Sequence, residues 1–183
     1  MQTLRHSNSP NGFTLIEVLM AIFVLAIALT GMMRMHLNAL RAQRQSSYQI
    51  SATQLASDMA EMIRAWRAPN DDHPFLFDYQ HGDAMPAAID CTGGAWCDPN
   101  ALRLFGIAQW LQAVQAALPM ARVSICRDAT PWDSSIGSAQ WPCSGGAGAG
   151  IVIKLGWRAQ ADDTDAPTPH GPQLILQVGE PAA

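Results

Sequence analysis

The hydrophobic pattern divides the chain before any other property is considered. Residues 1–12, MQTLRHSNSPNG, are polar and end in a Pro-Asn-Gly turn cluster. Phe13 to Met33 then reads FTLIEVLMAIFVLAIALTGMM, 21 residues with one charge, Glu17. At about 1.5 Å per residue this run spans about 31 Å, enough for a bilayer core. A secretory signal peptide is the shorter alternative, but its apolar stretch is only about 7–15 residues and a small-residue cleavage site follows it. No such site follows Met33.

From Arg34 to Arg67 the chain has no proline, and most of its residues are good helix formers. Leu55, Met59, Met62, Ile63 and Trp66 recur on one helical stripe, while Asp58, Glu61 and Arg64 lie off it. The pattern predicts one helix from Phe13 to Arg67, a rod of about 82 Å, apolar all round at first and amphipathic later. Pro69 ends it, and any bend is expected near Thr30 and Gly31.

Residues 69–98, rich in Pro, Asp, Gly and Ala, read as loop. Asp98-Pro99 is a helix start, and Leu104, Ile107, Leu111, Val114 and Leu118 form an apolar stripe up to Pro119. Three segments then alternate with period two: Val123 and Ile125; Ile151, Ile153, Leu155 and Trp157; Leu174, Leu176 and Val178. Residues 144–150 and 159–172 read as loops. The expected class is α+β, with the long helix covering one face of a small antiparallel sheet.

Charge sharpens the division. Residues 1–68 carry six basic and three acidic residues, a net of +3. Residues 69–183 carry five basic and twelve acidic, a net of −7. An acidic distal part with few cations argues against direct nucleic-acid binding, which needs clustered Lys and Arg. The four cysteines, Cys91, Cys97, Cys126 and Cys143, all follow the apolar run. That points to an oxidising compartment and two disulfides. Of the three pairings, Cys91–Cys97 with Cys126–Cys143 is favoured, because each closes a short local loop. Zinc spacing is absent.

Other candidate chemistry is thin. Asp71, Asp72, His73, Asp78, His81 and Asp83 offer metal-ligand types, but no EF-hand spacing, and they read as a solvated acidic loop with no metal or other cofactor. Asp133, Ser134 and Ser135 would need His170 as a base, and nothing in the sequence places it nearby. No nucleophile elbow or phosphate loop is present, so no catalytic role is expected.

Glu17 is the most informative residue. A carboxylate in a membrane segment costs on the order of 3 kcal/mol and usually has a partner. No Lys or Arg lies between His6 and Met33 to supply one. A cut between Gly12 and Phe13 would create an α-amine four residues before Glu17. The two charges would then neutralise each other, within one chain or between neighbours.

The string Gly12-Phe13-Thr14-Leu15-Ile16-Glu17-Val18-Leu19 resembles the prepilin peptidase signature of type IV pilins and type II secretion pseudopilins. The resemblance implies a leader at 1–12, cleavage after Gly12, N-methylation of Phe13, and Glu17 meeting the amine of an adjacent subunit. It implies a type IV pilin-like fold, with a transmembrane helix at 13–33, its amphipathic continuation at 34–68 and a periplasmic globular domain at 69–183. The expected partners are a prepilin peptidase, other major and minor pilins, and the inner membrane, which the chain crosses once before assembly into a pilus. That orientation reverses the one given by the flanking basic residues, Arg5 before the helix and Arg34, Arg41 and Arg44 after it. The stretch Leu55 to Trp66, LASDMAEMIRAW, resembles minor pilins of the PilV type, implying a role in pilus assembly or priming, motility and attachment. A type II secretion pseudopilin and a pilus-tip binding module are the alternatives.

Overall fold

The computed structural model describes residues 14–66, 73–87, 90–92, 96–146, 149–158 and 171–179. They form two units, divided between Arg44 and Gln45. Helix α1, Leu15–Ala65, runs through both. Its bounds fall within two residues of the sequence expectation at each end. In the first unit every described side chain is exposed.

The second unit begins inside α1. Here the helix buries Ala52, Leu55, Ala56, Met59, Ala60 and Ile63. The expected stripe is present, widened by three alanines. Small side chains at 52, 56 and 60 let the helix approach its neighbours closely, so the alanines count as core. Met62 and Trp66 pack at the margin of this core.

Helix α2, Pro99–Ala117, starts as the sequence indicates. Asp98 Oδ1 accepts from the Ala101 N–H at 2.9 Å, and Pro99 fills the first helical position, where its missing N–H costs nothing. Its buried face is Ile107, Ala108, Trp110, Leu111 and Val114. Trp110 also ties the helices together, donating Nε1–H to the Leu55 carbonyl of α1 at 2.8 Å. Leu104 is only half-buried.

The main sheet has four antiparallel strands in the order β1-β2-β5-β6: Phe77–Gln80, Arg122–Arg127, Ile151–Gly156 and Leu174–Val178. A two-stranded hairpin, β3 (Trp132–Asp133) with β4 (Ser138–Ala139), lies in the connection between β2 and β5. The three strands read from the sequence are all present. The first, β1, corrects the reading of residues 69–98 as loop. Phe77 and Tyr79 pair opposite Ile125 and Val123, putting their rings on the apolar face of β2. Phe77 meets the Trp110 ring edge-on at 6.5 Å.

Strand β5 is buried at all six positions. Ile151, Ile153 and Leu155 join the helix-covered core. The alternate residues Val152, Lys154 and Gly156 point to the other face, as the period of a strand requires. Residues 140–143 cover that face: the Gln140, Trp141 and Pro142 carbonyls meet Lys154, and the Trp141 ring meets Gly156. The expectation of a single helix layer on the sheet therefore described one face and missed the covering of the other.

Candidate functional site

Glu17 stands in the first turn of α1. The Thr14 carbonyl accepts from the Glu17 N–H at 3.0 Å, opening the helix one residue before Leu15. A carboxylate there sits at the positive end of the helix dipole. The pattern Thr14-Leu15-Ile16-Glu17 has the spacing of a capping box, a signal in the sequence for Thr14 as the helix-starting residue. Among the described residues the Glu17 carboxylate has no hydrogen bond or ion pair. Gly12 and Phe13 lie outside the described residues.

Around Glu17 the helix is apolar on its whole circumference. Leu15, Ile16, Val18, Leu19, Ile22, Phe23, Val24 and Leu25 are all exposed. The helix is long and apolar enough to cross a membrane, and none of that apolar window is buried within the chain. Thr30, its one hydroxyl between Leu15 and Met33, donates back to the Ala26 and Ile27 carbonyls at 3.1 and 2.9 Å, so it adds no unsatisfied group. An exposed apolar surface of this extent is of the kind that meets lipid or other apolar protein surfaces.

The cysteines are joined as Cys91–Cys97 and Cys126–Cys143. The second bridge ties β2 to the segment covering the polar face of β5. Beneath it is a buried network that the sequence reading did not anticipate. Lys154, the only lysine in the chain, is 0% exposed. Its Nζ donates to Asp128 Oδ2 at 2.5 Å and to the carbonyls of Gln140, Trp141 and Pro142 at 2.8, 3.2 and 3.0 Å. The other carboxylate oxygen of Asp128 accepts from Ser144 Oγ at 2.8 Å and from the Thr130 N–H at 2.9 Å. Burial alone would raise the Asp128 carboxyl, but the Lys154, Ser144 and Thr130 hydrogen bonds outweigh it and hold the value at about 2. A lone lysine inside the apolar run Ile151-Val152-Ile153-Lys154-Leu155 was the available signal.

The remaining candidates do not assemble. Cys126, Asp128 and Cys143 lie within 4.8 Å, but the two sulfurs are bonded to each other, leaving no thiolate for a metal. Asp71, Asp72 and His170 fall outside the described residues. His73 packs beside Phe75 with 5.8 Å between ring centroids, and burial followed by the Arg127 charge lowers its pKa. Asp133 accepts from the Ser135 N–H and hydroxyl at 2.8 and 2.6 Å, a local turn that occupies both groups in structure.

Residues 7–33 match a family model described as the prokaryotic N-terminal methylation motif. No curated protein and no solved structure gives a match. The match spans Gly12, Phe13 and Glu17 and the whole of the apolar run to Met33. The chain therefore carries a prokaryotic N-terminal methylation motif, of the kind found in prepilin-type sequences, at the head of its apolar helix.

Proposed function

We propose that this chain is a minor pilin subunit of a type IV pilus, involved in assembling or priming the filament. Residues 1–12 are removed after Gly12, and the new N-terminus at Phe13 is methylated. The apolar part of α1 waits in the inner membrane with the distal unit in the periplasm, and then transfers into a bundle of like helices. The membrane and the bundle are interchangeable solvents for the same exposed side chains, so transfer costs little apolar contact. Glu17 supplies what lipophilicity lacks, a fixed position along the helix. Paired with the α-amine of an adjacent subunit, it sets the axial stagger.

The observation that carries this reading is the methylation motif at the head of a helix that exposes apolar side chains on every side around one acid. The resemblance of Leu55 to Trp66 to minor pilins of the PilV type favours a minor subunit. Those residues build the core of the second unit, so they speak to its shape rather than to its N-terminus.

Mass spectrometry of the membrane fraction tests the processing step. The native chain should begin at Phe13 with one added methyl, and Gly12→Ala should keep all twelve leader residues. Normal cleavage of Gly12→Ala overturns the site. Glu17→Ala should remain in the membrane and fail to enter sheared surface filaments. Recovery of the native chain only from the envelope, never from filaments, would instead favour a secretion pseudopilin.

A further inference from the structure

A cavity of about 260 Å³ opens at one end of the main sheet. Its walls come from the turn after β1, the α2–β2 turn, the start of β2 and the end of β5. Arg122 and Arg158 line it, with His81, and no Asp or Glu is among its described lining residues. Two of the five basic residues between 69 and 183 thus converge on one hollow in an otherwise acidic region.

Neither guanidinium makes an ion pair or a side-chain hydrogen bond among the described residues. Arg122 lies over the Trp141 ring, 4.2 Å from its centroid. Stacking holds the guanidinium plane and leaves its in-plane N–H groups for a planar anion. Trp157, also lining the cavity and 2% exposed, keeps a buried Nε1–H with no acceptor among the described residues. Two guanidiniums thus line a hollow that has no carboxylate among its described lining residues.

The backbone around the cavity is shaped to make it. Met120 on its wall takes φ +49°, a left-handed conformation that a methionine rarely adopts and that commonly marks a functional site. At Gly156 a Cβ would stand 2.7 Å from the Trp141 ring, so the missing side chain is what lets this indole lie against β5 and form a wall.

We propose that this cavity binds a small organic oxyanion, carboxylate or phosphate, about the size of one monosaccharide. Arg122 and Arg158 hold the anionic group, and the ring or apolar body lies among Trp141, Trp157 and Met120. Size sets the limit: the volume is just under the usual range for drug-sized ligands, about 300–1,000 Å³. The site is independent of the N-terminal assembly reading, because every residue in it belongs to the second unit.

Isothermal titration of the full chain in non-ionic detergent tests it, using glucuronate, glucose 6-phosphate, glucose and inorganic phosphate. Glucuronate or glucose 6-phosphate should bind with a Kd of about 1 mM or tighter, and glucose at least about tenfold more weakly. The tighter of the two anions identifies the anionic group. Arg122→Gln and Arg158→Gln should each lower that affinity about tenfold, with Arg64→Gln, on the exposed side of α1, as an unaffected control. Gly156→Ala, which displaces Trp141, should weaken the organic anions more than inorganic phosphate. Three results overturn the proposal: neither organic anion binds, glucose binds as tightly as they do, or both Arg→Gln variants bind like the native chain.

Discussion

Helix α1 is one element with two surfaces, and its halves solve opposite problems. From Leu15 to Arg44 no side chain is buried, and leucine, isoleucine, valine and phenylalanine face outward in every direction. From Ala52 to Ile63 the outward side is polar, and a stripe of alanine, leucine, methionine and isoleucine is covered by the rest of the second unit. Backbone and helix propensity are much the same in both. What differs is the arrangement of apolar positions, all round in one half and one-sided in the other, and that fixes the solvent each half needs. The first half finds its cover outside the chain, the second within it.

If the halves are energetically separate, substitutions should sort into two classes. The largest effect should come from Lys154→Met in the second unit. It strips the carboxylate of Asp128 of its cation, and breaking such a pair costs about 3–5 kcal/mol. Thermal unfolding of the distal unit should drop sharply, while the fraction of chain in the membrane stays the same. Loss from the membrane fraction would show that the two halves are coupled.

Leu25→Asp is the reverse probe. A carboxylate near the centre of the apolar run costs about 3 kcal/mol on insertion. The chain should shift out of the membrane fraction, with distal unfolding unchanged. A parallel fall in distal stability would break the comparison.

A pH titration sharpens it further with a smaller effect. The Asp128 carboxyl is held at about 2 in the folded state, below its ordinary value of 3.8. Folding therefore gains about 2 kcal/mol from this group above pH 4, and the gain is lost as pH falls from 4 toward 2. Distal unfolding followed by near-UV circular dichroism should show this loss, and Asp128→Asn should remove most of it.

The sequence made the helices legible because each carries a repeated signal. The stripe of α1, the Asp98-Pro99 start of α2 and the alternation of β2, β5 and β6 are periodic over several residues. Strand β1 was harder. Its alternation, Phe77-Asp78-Tyr79-Gln80, lasts only four residues in a stretch full of Pro, Asp and Gly. Composition outweighed a period too short to count. The Lys154–Asp128 pair was invisible for another reason: the partners are 26 residues apart, and only the pairing of β2 with β5 brings them together. The cavity depends on the same long-range geometry. Arg122 and Arg158 read as ordinary surface cations until Gly156 and Trp141 are seen to place them around one hollow. The N-terminal site was the opposite case, because its meaning lies in a contiguous string.

The burial of Lys154 also has a practical consequence for labelling chemistry. Lys154 is the one side-chain primary amine in the sequence. With the lysine sealed at 0% exposure, an amine-directed reagent applied to the folded protein finds no lysine to modify. Unfolding will therefore announce itself as the arrival of a label at this single side chain.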